Sequence, residues 1–285
     1  MNHRRFWIQN DSGVQWSLNG DQGVWFVTPE GLGARWKILT ADLGHGFFKE
    51  LPTDAVPADP VAGERKFLPA GAYSAYRSFL RFVASSSELR LLYCPYGTET
   101  YYVRGRFEYL QKGELDQTAI LTVPVSFVPF TPWYQPRSLT LTMQAASESD
   151  MTFPFTFDQD LRFPSSAVGS WAVEITPAGD QPASLVFEFS GAATNPVLTL
   201  TGVNSETEYG RCAVTGTVTG LRYSSQYLDS YVTDGGGSDL MDDVSPGYDP
   251  FFRVPLSEPC VLRLQASGEL SGSATVSVNY FYRSV

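Results

Sequence analysis

The chain has few of the residues on which most enzymes depend. Only two of its 285 residues are histidines, His3 and His45. His3 lies near the N-terminus, and His45 sits between two glycines, the composition of a loop. A Ser-His-Asp relay would have to be built on His45, and no nucleophile-elbow sequence accompanies it. Cysteines number three, Cys94, Cys212 and Cys260, far apart and odd in count. They offer neither metal-ligand spacing nor a disulfide framework, and buried, reduced thiols are the expected state, as in a protein made in a cytoplasm. No apolar run reaches the roughly 18 residues that a membrane-crossing helix needs. The basic start, Met1 to Arg5, leads to Asn10 and Asp11 rather than to an apolar stretch, so no secretory leader is expected. Lysine is missing altogether from residues 135–285.

That last absence belongs to a lopsided distribution of charge. Residues 1–134 carry 13 Lys+Arg and 13 Asp+Glu, whereas residues 135–285 carry 7 and 17, which accounts for the whole net charge of −10. Phosphate contacts need cations, so the second half is poorly suited to gripping nucleic acid. Aromatic residues make up 14% and charged residues 18%, a composition of folded, core-rich domains rather than of disorder. The length predicts two of them.

The stretch from Tyr101 to Tyr134 organises the rest. Tyr102, Arg104, Arg106 and Glu108 alternate with Val103, Phe107 and Tyr109, the pattern of a strand with one wet face. Lys112-Gly113-Glu114 supplies a turn, and Ile120–Phe130 reads as a second, more apolar strand. Pro124 within it cannot donate to a ladder and predicts an edge or a bulge. Pro129, Pro132 and Pro136 then interleave with Phe130, Trp133 and Tyr134. This block reads as an inter-domain joint formed by Pro132, Trp133 and Tyr134, with domains over 1–134 and 135–285.

Before it, Phe6–Leu18 predicts a β-hairpin turning at Asn10-Asp11-Ser12-Gly13, and Asn19-Gly20 a second turn before the strand Val24–Val27. Leu51–Pro69, with four prolines, reads as a long exposed loop. Residues 72–84 hold the one helical period: Tyr73, Tyr76, Leu80 and Val83 recur at spacings of three and four, with Arg77 and Arg81 on another face. Leu89–Tyr93 is a strand stopped by Pro95.

The second half shows strand patterns only, over 138–144, 171–176, 184–189, 196–200, 212–218, 261–265 and 275–282. Their spacing is that of an antiparallel β-sandwich. Between them Tyr227–Tyr248 forms an acidic, glycine-rich excursion with Asp234, Asp239, Asp242 and Asp243. It is expected to be a contact loop that orders on meeting a partner. Calcium is the competing explanation for these aspartates and Asp249, although the register of a helix–loop–helix site is missing. Trp171, Tyr209, Tyr223, Tyr227, Tyr231 and Tyr248 could stack on sugar rings, or simply fill a core. A glycosidase would need two carboxylates facing each other across the bond, which a linear pattern does not reveal. Neither a cofactor nor a catalytic residue is assigned.

Several runs resemble those of a known family. They are Ala72-Tyr73-Ser74-Ala75-Tyr76-Arg77-Ser78-Phe79, Leu91-Leu92-Tyr93 with Pro95-Tyr96-Gly97, Lys112-Gly113-Glu114-Leu115, Val123-Pro124-Val125-Ser126-Phe127 and Thr131-Pro132-Trp133-Tyr134. In the second half the runs are Asn195-Pro196, Leu221-Arg222-Tyr223, Phe251 to Pro255 and Tyr280 to Val285. Their order resembles the distal tail proteins of long-tailed bacteriophages; residues 34–67 match nothing in that pattern. The resemblance implies a mostly β, two-domain structural protein of the virion, not an enzyme. Its N-terminal β domain with one packed helix would form a ring, usually a hexamer, and its C-terminal domain would be a galectin-like or carbohydrate-module-like sandwich. The implied partners are copies of itself, tail-tube and baseplate or tail-tip proteins, and DNA in transit through the ring. The alternative is a carbohydrate-binding module for host-surface glycans, and no membrane is implied.

Overall fold

The structure is a computed structural model. It describes residues 4–19, 24–33, 40–42, 48–50, 58–68, 71–144, 170–227, 229–245, 250–267, 270 and 272–285. The chain divides into two compact units, one of Met1–Gln135 with Phe281–Val285 and one of Pro136–Tyr280. The last five residues therefore belong with the first unit, not with the second as the 134/135 division expected. Tyr282 explains why: its ring meets Tyr101 edge-on at 5.2 Å and its hydroxyl bonds the Gln135 side chain at 3.1 Å. Val285 N–H donates to the Leu32 carbonyl.

In the first unit, β1 (Arg5–Asn10), β2 (Gln15–Ser17), β3 (Val24–Glu30), β4 (Thr40–Asp42), β5 (Phe48–Glu50) and β6 (Val61–Phe67) precede α1 (Ala72–Ala84). Then come β7 (Leu89–Cys94), β8 (Tyr101–Leu110), β9 (Leu121–Pro129) and the start of β10 (Trp133–Thr140). The main sheet runs β2-β1-β7-β8-β9-β6-β3, all antiparallel, and β4 pairs with β5 alone. The hairpin expected over Phe6–Leu18 is β1–β2. Its turn is held by the Asn10 side chain, which accepts from Val14 N–H and Ser12 Oγ.

Three expectations need correction. Residues 61–67 are not loop but β6, lying between β3 and β9. Its inward positions are Val61, Gly63, Arg65 and Phe67, so a glycine and an arginine interrupt the apolar alternation that would betray a strand. The helix has the expected span, but its buried residues are Ala72, Tyr76 and Phe79, while Leu80 is exposed. The spacing 72-76-79 follows one face, and Leu80 is a further 100° around. Pro124 lies in an interior strand and not at an edge. Its carbonyl, which points the same way as its nitrogen, accepts from Gln111, just past the last β8 residue in the ladder. The missing N–H therefore costs no strand bond. A bulge between Phe107 and Tyr109 also turns Tyr109 outward, against the predicted alternation.

The core of this unit is aromatic. Phe6 stacks on Tyr93 at 4.7 Å, and Phe79 meets Phe107, which meets Phe127. Within it lies Arg65, with no exposed surface. Its guanidinium carbon is 3.7 Å from the Phe79 ring centre and 4.7 Å from that of Phe67. Among the described residues Nη2 finds one acceptor, the Ser17 carbonyl at 3.5 Å, and Nε and Nη1 find none.

The second unit holds the rest of β10, β11 (Thr142–Gln144), β12 (Ser170–Ile175), β13 (Gln181–Thr194), β14 (Val197–Gly202) and β15 (Glu208–Ala213). They are followed by β16 (Thr217–Gln226), β17 (Asp229–Asp234), β18 (Cys260–Gln265) and β19 (Ser273–Tyr282), which re-enters the first unit at Phe281. One sheet contains β17-β16-β13-β19 and the other β11-β12-β18-β14-β15. Alternate residues are buried, among them Leu185, Phe187 and Phe189 on β13, Leu198 and Leu200 on β14, and Leu262 and Leu264 on β18. The strand expected over 212–218 is broken in two, because Gly216 takes φ 102 in a turn between β15 and β16.

Candidate functional site

The acidic excursion is built, not loose. As the chain leaves β17, Asp234 N–H donates to the Ser238 carbonyl at 2.9 Å while its carboxylate accepts from Ser238 N–H at 2.8 Å. The Ser238 N–H, joined by the Ser238 hydroxyl and the Gly236 and Gly237 amides, holds the Asp234 carboxyl below its ordinary range. Gly237, at φ 91, supplies the left-handed residue that the turn needs. The chain then runs back along β17, where Leu240 N–H donates to the Val232 carbonyl. The Asp239 carboxylate accepts from Met241 N–H at 3.0 Å and starts a single helical turn, Met241–Asp243. Beyond it the chain reaches β15: Thr215 N–H donates to the Asp243 carbonyl and Ser245 N–H to the Ala213 carbonyl. The excursion is thus a strap from the edge of one sheet to the edge of the other. Unpaired edges template unwanted pairing, and a covering segment blocks that. The expected ordering on contact is corrected accordingly, since backbone bonds hold the loop at both ends within the chain itself.

Of the four aspartates, Asp234 and Asp239 are engaged by backbone amides, while Asp242 and Asp243 are exposed beside the exposed Met241. Among the described residues no three His, Cys, Asp or Glu side chains converge as metal ligands. Asp249, Tyr248, His3 and His45 lie outside the described residues.

The residues of the predicted joint finish the first unit's core. Trp133 has no exposed surface and packs at 6.2 Å from Tyr93. Tyr134 stacks on Tyr102, its partner in the β8–β10 register, and burial pushes its phenol up. Pro132 is buried beside them. The aromatics considered as a stacking face are scattered. Tyr223 is fully buried against Phe251 and Phe252, the Tyr227 ring is covered by Arg253, and the Tyr209 hydroxyl bonds Glu258 at 2.6 Å. Glu258 escaped sequence reasoning because nothing marks it in one dimension. Its carboxylate gathers Ser205 Oγ, Tyr209 Oη and the amides of Asn204 and Ser205, and these donors pull it down to about 2. Its contacts are to the β14–β15 turn at Asn204 and Ser205 and to Tyr209 on β15, so the cluster is a structural clamp.

Exposed apolar surface is unevenly shared. The described first unit shows Val14, Leu68, Leu80, Tyr96, Tyr109, Leu115 and Phe130; the second shows Met143, Val203, Met241 and Leu256, without a ring among them. On α1, Leu80 is flanked by exposed Arg77 and Arg81. Among the described residues no helix is long and apolar enough to cross a membrane.

Residues 5–130 match the family model described as the distal tail protein, N-terminal domain. Residues 5–130 therefore form a distal tail protein N-terminal domain. Solved structures extend the likeness in fold to the other half. A chain of the phage P2 baseplate in its activated conformation with Ca is 12% identical, at TM-score 0.61 over 100% of both chains. The same baseplate with Sr gives 13% and 0.60, again over 100% of both. The crystal structure of SPP1 Dit, titled a paradigm of the hub adsorption apparatus of phages infecting Gram-positive hosts, is 14% identical at TM-score 0.57. That comparison covers 96% of this chain and 98% of the other. At such identities the likeness is one of fold, and it extends over both units. No curated protein matches the sequence.

Proposed function

We propose that this distal tail protein is a ring-forming structural component of a phage tail tip. Copies of the first unit associate into a ring, six in number by family resemblance, joining the tail tube to baseplate or tail-tip proteins and leaving a channel for DNA. The observation that carries the reading is the family match over residues 5–130, which falls within the first compact unit. Two features support placing self-association there: that half is charge-balanced, and it carries the larger set of exposed apolar side chains, including three aromatic rings. The second unit, a galectin-like sandwich in this reading, projects from the ring and carries the exposed Met241, Asp242 and Asp243 as a contact for another tail component.

Light scattering at several concentrations tests the assembly. The full chain is expected to reach a closed multiple of its 31.4 kDa mass. So is a version in which residues 136–280 are replaced by a short Gly/Ser linker, which keeps 281–285 with the first unit. Self-association by the second unit alone, with the linked first unit monomeric, would reverse the assignment.

A further inference from the structure

The first unit encloses a small cavity at Arg65 that none of the roles above uses. Its volume is about 10 Å³, room for one group the size of a water molecule. Arg65 is the one polar side chain in its described lining; the others are hydrocarbon, Leu18, Phe26, Val61, Leu91 and Val125 among them. The guanidinium has no exposed surface, and Nε and Nη1 find no acceptor among the described residues. No ion pair joins it to a described carboxylate either. Burial, without help from a neighbouring charge, pulls its pKa down to about 9, so the group is still a cation at neutral pH. Phe79 and Phe67 offer π faces to the charge but no lone pair to the N–H groups. Buried charges in folded proteins are ordinarily paired.

The kind of ligand follows from which hydrogen-bonding sense the walls leave unmet. A guanidinium only donates. A water could accept from one of its N–H groups, but the water's own O–H groups would then face hydrocarbon, and a buried water needs several polar partners. An acceptor-only species meets the donor and leaves nothing of its own unmet. If it is also an anion, it balances the charge that the fold leaves open at Arg65. The volume excludes sulfate, phosphate and any carboxylate, whose several heavy atoms need more room. A monatomic anion is what fits, and chloride is the one that biological solutions supply in quantity. It sheds hydration on entering, so its affinity is expected to be millimolar rather than tighter.

We propose that this cavity is an internal halide site, which binds chloride with Arg65 as its charge partner and hydrogen-bond donor. The site goes beyond the assembly reading and does not depend on it. Melts of the full-length protein followed by tryptophan fluorescence test it, with chloride exchanged for gluconate at constant ionic strength. An ion bound only by the folded chain should raise the first unit's melting temperature by about 3–6 °C for each tenfold rise in chloride above its dissociation constant. Arg65→Met should abolish that dependence, so wild type gains on this variant as chloride is added. Crystals of the wild-type protein grown in bromide should show an anomalous peak within hydrogen-bond reach of the Arg65 guanidinium, a readout that needs no variant to fold. A wild-type melting temperature indifferent to chloride would overturn the proposal, as would the same dependence in Arg65→Met. So would bromide confined to the protein surface, or water alone in the cavity at high bromide. None of these outcomes touches the assembly reading.

Discussion

Replacing Arg65 with methionine should stabilise the first unit. A guanidinium with no exposed surface loses several kcal/mol of hydration even after the protein relaxes around it. Burial pulls its pKa down to about 9, which reports the same unfavourable environment for the charge. Against that cost stand two close rings, at 3.7 and 4.7 Å, each contributing about 0.5–2 kcal/mol, and one long bond to the Ser17 carbonyl. Among the described residues two of its nitrogens, Nε and Nη1, find no acceptor, and an unmet buried polar group costs about 1–3 kcal/mol. Methionine is similarly long and unbranched, brings no donors, and places sulfur among the same rings. The difference favours Arg65→Met by about 1–3 kcal/mol, a rise of several degrees in the melting temperature for a unit of this size. Arg65→Ala should move the other way by about 2–5 kcal/mol, because it also removes the packed stem and leaves a cavity. Thermal melts followed by tryptophan fluorescence read this unit through Trp16 and Trp133. If the methionine variant melts as low as the alanine variant, the guanidinium is a net stabiliser and the accounting is wrong.

Trp133→Ala should cost about 3–5 kcal/mol of first-unit stability, seen as a lower denaturant midpoint; an unchanged midpoint would mean that its ring is not packed. Glu258 has its folded pKa near 2, below the ordinary 4.5, so its stabilising contribution is complete above about 4.5 and is lost as pH falls through that value toward 2. Urea midpoints between neutral and acid pH should therefore drop more steeply in wild type than in Glu258→Gln, and parallel slopes would refute the clamp. Cys212 and Cys260 are buried with thiols pushed up to about 11, so iodoacetamide at mildly alkaline pH should label them only after unfolding.

How far these elements are visible in one dimension depends on what occupies the inward positions. Helix α1 was legible because its apolar residues recur at helical spacing and Gly71 and Ser85 bound it, yet the stripe was read one position out at Leu80. Strand β6 was not legible, since Gly63 and Arg65 take inward places where a pattern reader looks for aliphatic side chains. Pro124 misled in the opposite sense: its effect depends on which neighbour its nitrogen faces, and that is a tertiary fact. The charge of the excursion's aspartates is visible in one dimension, but the acceptor bonds by which Asp234 and Asp239 hold nearby amides are not.

The return of Phe281–Val285 to the first unit has a consequence for biosynthesis. Chains emerge from the ribosome N-terminus first, and domains generally fold as they appear. Here the partners of Tyr101, Gln135 and Leu32 are made only after the whole of residues 136–280. A nascent chain can collapse around Phe6, Phe79 and Trp133 early, but that unit stays open along one side until the intervening sandwich has been synthesised. Completion of the first unit is thereby timed to follow synthesis of the second.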